Sequence, residues 1–212
     1  MAGILDVLNS DLGQTIISGV AGSTGQDKDK TSSVLTMALP VLMKAMERNV
    51  ATPKGAEGLM SAIQGKHSGG ILDNLSDLFS GGVDDNVKND GDKILNHVLG
   101  SKKRGVESII GQKAGLDVGS VGQILKVAAP ILMGIIGQQA QQKNVSSTND
   151  LSGLLGGLLG GNDAKEEQNF LEKILDADGD GSVIDDVAGM LLGGSKKKGG
   201  LGGLLGGLFG GK

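Results

Sequence analysis

Residues 176–182 read Asp-Ala-Asp-Gly-Asp-Gly-Ser, the one stretch whose residue types and spacing specify a chemistry: oxygen-only coordination of a hard cation. Carboxylates at positions 1, 3 and 5 of a tight loop, a Gly at 6 and an apolar residue at 8 are what Ca2+ requires. Val183 fills the eighth place. Asp176, Asp178 and Asp180 would offer side-chain oxygens, Ser182 its backbone carbonyl, and Asp185 or Asp186 the closing carboxylate. The pattern departs from an EF-hand at the twelfth position, where Val187 replaces the bidentate acid. The loop over 176–187 is therefore either tighter than an EF-hand or short of its last ligand. Five Asp within eleven residues repel one another without metal, so a bound cation would order the C-terminal third, as a clamp rather than a sensor. The competing reading is an acidic turn whose aspartates cap the following helix.

No other group of residues has comparable quality. His67 lies in the loop Lys66-His67-Ser68-Gly69-Gly70, and His97 on a helix with Ile94 and Val98. Both read as surface or helix-end residues rather than bases or ligands. Absence of Cys removes thiolate metal sites and thiol nucleophiles. No G-x-S-x-G accompanies the serines, and the Gly-rich runs lack the Lys-Ser/Thr of a phosphate loop. The expectation is a non-enzyme without a small-molecule substrate. One segment, 106–136, has the outline of a helix-turn-helix, with Gly115 at the turn and Gln123 and Lys126 as the only candidates to reach base edges. Its second helix begins Asp117-Val118-Gly119-Ser120, a poor start for reading DNA.

These residues must be held by helices with aliphatic cores. Gly numbers 39 of 212 residues, aromatic residues reach 1% with no Trp or Tyr, and the formal net charge is −4. Such a surface offers no footprint for a polyanion and no platform for stacking bases, so nucleic acid is disfavoured. Two short basic runs, 102–104 and 196–198, are the exceptions. The N-terminus has no basic region followed by an unbroken apolar stretch, and no segment approaches 18 consecutive apolar residues, which predicts a cytoplasmic protein.

Apolar residues recur at helical spacing wherever a pattern exists, which predicts an all-α fold. Ile4, Leu5, Leu8, Leu12, Ile16 and Ile17 read as one helix face. Further helices are expected after Pro53, after the Gly69-Gly70 pair, up to Gly100, and up to Gly115. Residues 34–43 (VLTMALPVLM) align without a gap on 124–133 (ILKVAAPILM), and Gly25 and Asp27 meet Gly115 and Asp117 at the same offset. An interior Pro costs about 3 kcal/mol in a helix, so its placement twice in one context is informative. The chain is read as two similar halves from an internal duplication, 1–100 and 101–192, followed by a Gly/Leu tail at 193–212. In the tail, Leu201, Leu204, Leu205, Leu208 and Phe209 form one helical stripe separated only by Gly, each Gly costing about 1 kcal/mol relative to Ala. Alone the tail should be flexible; against a partner it could become helical.

Ala38-Leu39-Pro40-Val41-Leu42-Met43, the Pro-Lys-Gly-Ala-Glu-Gly-Leu stretch at 53–59, His67 with its Gly pair, the second Ala129-Pro130-Ile131-Leu132-Met133, and the aspartate loop before Asp185-Asp186 together resemble the bacterial YidB-like family, domain of unknown function 937. The likeness covers most of residues 1–192. It implies an all-helical bacterial protein with no assigned catalytic activity. The expectation is a helical scaffold with one Ca2+-type loop, self-associating as a homo-oligomer or meeting a membrane surface through its Gly/Leu segments. The alternative is a DNA-associated regulator using 106–136.

Overall fold

The computed structural model describes residues 3–160, and every regular element among them is helical. In chain order these are α1 (Ile4–Asn9), α2 (Asp11–Thr24), α3 (Lys28–Val50), α4 (Pro53–Gln64), α5 (Gly70–Asp73), α6 (Leu75–Ser80), α7 (Asp85–Leu99), α8 (Lys103–Ala114), α9 (Val118–Gln142) and α10 (Thr148–Leu158), with a 3-10 turn at Gly100–Lys102 before α8. The all-α expectation holds for the described part of the chain.

Two long helices organise the fold. In α9 residues 127–137 are buried without a break, as expected for a helix apolar on all sides and therefore enclosed by neighbours. By length and composition α9 could cross a bilayer, yet 78% of its most apolar window is buried in this fold. Small residues let other chain segments close on it. A Cβ on Gly134 would strike Ile71 of α5, one on Gly137 would strike the carbonyl oxygen of His67, and one on Gly91 of α7 would strike the carbonyl oxygen of Lys126. Helix α3 packs on α9 and also receives α2, α4, α7, α8 and α10. Both long helices run through their prolines, of which Pro130 is buried and Pro40 half-buried.

The sequence motif shared by the halves has a shared geometry. Gly25 closes α2 in the left-handed region at φ 66°, and Gly115 closes α8 at φ 66°. Asp27 Oδ1 then accepts from the Lys30 N–H at 3.0 Å, as Asp117 Oδ1 accepts from the Ser120 N–H at 3.0 Å, and each aspartate starts a long helix. The two joints touch, because Lys30 Nζ donates to the Gly115 carbonyl at 3.2 Å.

Two expected helices are broken. The face from Ile4 to Ile17 belongs to α1 and α2, separated at Ser10, whose Oγ accepts from the Gly13 N–H at 3.3 Å and caps α2. The corner is sharp enough that a Cβ on Gly13 would strike the Leu8 carbonyl, so only Gly fits. The stretch after Gly69-Gly70 likewise splits into α5 and α6 at Asn74, with φ −120° and ψ 26°. Apolar spacing survives both corners because each pair of helices faces the same core.

Candidate functional site

The residues singled out for a cation, Asp176, Asp178, Asp180, Ser182, Asp185 and Asp186, lie outside the described residues, and so do Leu201, Leu204, Leu205, Leu208 and Phe209. Among the described residues no cluster of three or more His, Asp or Glu could hold a metal ion. What the structure does describe is an earlier Gly/Leu stretch, residues 151–160 (LSGLLGGLLG), and the groove that receives it.

Helix α10 begins with a reciprocal cap. Ser147 Oγ accepts from the Asp150 N–H at 3.2 Å, while Asp150 Oδ2 accepts from the Ser147 N–H at 3.0 Å and the Ser147 hydroxyl at 2.7 Å. Those bonds, the hydroxyl's first, hold the Asp150 carboxyl below its ordinary pKa. Past the cap, Leu151, Leu154, Leu155 and Leu158 are all 3% exposed or less, seated on α3, α4 and α9. The far end reaches the beginning of the chain, where a Cβ on Gly3 would lie 3.4 Å from the Leu158 carbonyl oxygen. Energetics explain why so Gly-rich a segment is helical. Four buried leucines contribute about 1.5–3 kcal/mol each, against about 1 kcal/mol lost at each of Gly153, Gly156 and Gly157. The seat makes the helix.

Polar groups gather at two other places. His67, between α4 and α5, is buried, contrary to the surface position expected from its loop. Its N–H donates to the Ala62 carbonyl at 2.9 Å, its own carbonyl lies against Gly137, and its Nε2 stands 3.4 Å from Asp90 Oδ2. Asp90 also receives Lys66 Nζ at 2.6 Å. Burial lowers the imidazole pKa from its ordinary 6.5; Asp90 opposes that shift and Lys66 adds to it. His97, by contrast, is exposed on α7, where it borders an apolar cleft of about 290 Å³ with Leu59, Ile94 and Met133.

The second place is an open cleft between the start of α8 and the first half of α9, lined by Lys103, Arg104, Glu107, Gln123 and Lys126. Asp92 of α7 ties it together, with Oδ1 2.7 Å from Lys103 Nζ and 3.3 Å from Lys126 Nζ. The Lys103 hydrogen bond chiefly lowers the Asp92 pKa. Glu107 lies beneath, 7% exposed, against Gly122. Desolvation raises its pKa, and Lys103 and Lys126 only partly offset that.

The sequence matches the family described as "Bacterial protein of unknown function (DUF937)" over residues 6–139. The chain belongs to this family. The matched span of the DUF937 family takes in the whole groove formed by α3 and α4 and all but the last turn of α9, and it stops before α10. No curated protein and no solved structure matches the chain.

Sequence reasoning missed Glu107 and Asp92. A signal for Glu107 existed: it lies three residues before Ile110 and beside Val106, an acid on the core-facing side of α8. For Asp92 there was none, since its partners come from α8 and α9, eleven and thirty-four residues away.

Proposed function

We propose that this protein is a non-enzymatic helical scaffold that self-associates through its Gly/Leu tail. The observation that carries this reading is α10 itself, in which a Leu-Leu-Gly-Gly sequence is helical with its leucines fully seated on an aliphatic surface. The tail repeats the stripe in Leu201, Leu204, Leu205, Leu208 and Phe209. Since α10 fills the groove of its own molecule, the tail stripe needs cover from a second copy or from a membrane surface. Light scattering tests the idea: the full chain should show a concentration-dependent mass above that of the monomer, and a chain ending at Ser195 should not. Equal masses for both would end the reading.

A Ca2+ ion held by Asp176, Asp178, Asp180, Ser182 and Asp185 or Asp186 belongs to the same proposal, as a clamp on the C-terminal third in a cytoplasmic protein. The spacing of those residues is its support. Calorimetric titration should show heat with Ca2+ that disappears in Asp178→Ala; no heat in the parent chain would remove the ion from the account. The two halves are read as products of an internal duplication, supported by the paired joints at Gly25 and Gly115 and the paired prolines.

The cleft around Lys103, Arg104, Gln123 and Lys126 favours a second reading, contact with duplex DNA, because it brings two members of the 102–104 run, Lys103 and Arg104, beside both side chains singled out in the helix-turn-helix outline. Asp92 already engages two of its lysines and the net charge is −4, so this reading ranks second. Retention of duplex DNA that weakens steeply with salt would promote it.

A further inference from the structure

Residues 151–161, LSGLLGGLLGG, recur as residues 201–211, LGGLLGGLFGG, identical at nine of eleven positions. The agreement follows the structure. The four leucines that fill the groove, Leu151, Leu154, Leu155 and Leu158, return as Leu201, Leu204, Leu205 and Leu208. The two exchanges, Ser152 for Gly202 and Leu159 for Phe209, fall where α10 is only half-buried. We propose that the groove on α3, α4 and α9 has two alternative occupants within one chain, α10 and residues 201–211, and that the tail takes the seat when α10 leaves it. This does not depend on self-association.

Three features set the balance between the occupants. At two positions the groove does not demand Gly: a Cβ on Gly153 would meet nothing within 4 Å, and one on Gly156 would meet only a Glu47 oxygen at 3.8 Å. The glycines instead leave α10 dependent on its seat and easy to release, since each lowers helix stability by about 1 kcal/mol relative to Ala. Next, α10 has a cap that its counterpart lacks. Ser147 and Asp150 correspond to Lys197 and Gly200, within a basic run that disfavours a helix N-terminus. Finally, α10 is joined to α9 by the short link 143–147, whereas the tail, with α10 out of the groove, must return over residues 143–200. Loop-closure entropy grows only slowly with length, so the longer link handicaps the tail without excluding it. Helix α10 therefore holds the seat at rest and the tail stands as its reserve, a two-state element that any ligand of the exposed α10 face would shift.

The test is rescue. Leu154→Asp with Leu155→Asp ejects α10. In the full chain the unfolding midpoint should fall only a few degrees, whereas the same pair in a chain ending at Ser195 should lower it by about 10 °C or more. Adding Leu204→Asp and Leu205→Asp to the full-length variant should reproduce the larger loss. Equal losses with and without the tail would overturn the proposal. The milder pair Leu154→Ala and Leu155→Ala keeps the comparison available should the aspartates prevent folding. The chain has no Cys, so Glu47→Cys and Gly206→Cys, the latter the counterpart of Gly156 beside Glu47, should cross-link within one molecule when introduced into the α10-ejected full chain. Cross-links only between molecules would place the tail on a second copy and refute the intrachain exchange. The Ser195 light-scattering comparison reads self-association separately, so either idea can fail alone.

Discussion

Glu107 and His67 are ionisable groups that the fold encloses, and each resists its charged form. For Glu107 the folded-state pKa lies above the ordinary 4.5, so the folded protein binds the proton more tightly than the unfolded chain does. Its contribution is most favourable below the unfolded pKa and declines as pH rises through the folded one. Glu107→Gln, which cannot ionise, should therefore raise stability at pH 7 and lose that advantage near pH 4, read by denaturant unfolding at both pH values. The sign is opposite in direction of proton binding for His67. Its folded pKa lies below 6.5, so the unfolded chain takes up the proton first as pH falls. Stability should drop between pH 7 and the folded pKa, and His67→Gln should flatten that part of the profile. An unchanged slope would show that the imidazole is not shielded. Neither behaviour was legible in the sequence. A loop position and a Lys neighbour suggested an exposed His67; what buries it is Gly137, seventy residues on, which lets the loop lie directly against α9.

At the scale of elements, glycine does opposite things in helices that look alike in sequence. Gly91 in α7 sits where any Cβ would strike the Lys126 carbonyl of α9, so the close approach of those two helices rests on its missing side chain. Gly153 and Gly156 in α10 have open space or ordinary contact around them. Gly91→Ala should therefore destabilise the protein by about 1–3 kcal/mol or more through overpacking, whereas Gly153→Ala and Gly156→Ala should each stabilise α10 by about 0.5–1 kcal/mol. Thermal unfolding of the three variants checks both signs; a loss at Gly153 would mean that the α10 seat is tighter than described. Helix ends were readable where a residue carries its own reason to stop or start, such as Pro53 at the first position of α4, Gly100 after α7, or Asp117 before α9. The breaks at Ser10 and Asn74 were not, because the apolar spacing continues across them and the turn depends on what the next helix packs against. The aliphatic face of α10 was visible as Leu pairs, but its helicity was not, since propensity alone argues against it and only the groove outweighs the glycines.

For the molecule as a whole, the boundary near residue 100 is a boundary in sequence similarity rather than in packing. Helix α7, from the first half, lies along α9, from the second; α3 packs on α8, α9 and α10; and α2 also reaches α9. The buried residues form one cluster that draws Val34, Leu42 and Leu95 together with Ile110, Leu125 and Leu132. If each half kept an independent core, separated pieces would fold. With a shared core, a piece ending at residue 100 would expose the faces of α3 and α7 that α9 covers, and a piece starting at 101 would leave in water the faces of α9 that α2, α3, α4, α5 and α7 cover. Expressed alone, residues 1–100 and 101–212 should therefore lack a cooperative thermal transition, and mixing them should restore one together with the helical circular dichroism of the intact chain. The stabilising term is the apolar area that α9 loses to water on joining, at about 25 cal/mol per Å², opposed by the entropy of bringing two chains together. Complementation should accordingly strengthen with concentration and be abolished by Gly91→Ala, whose added Cβ would strike the Lys126 carbonyl of the other piece and block the α7–α9 approach. A sharp transition in either piece by itself would show that the two parts keep separate cores, and that α9 serves as a bridge between domains rather than as the centre of one.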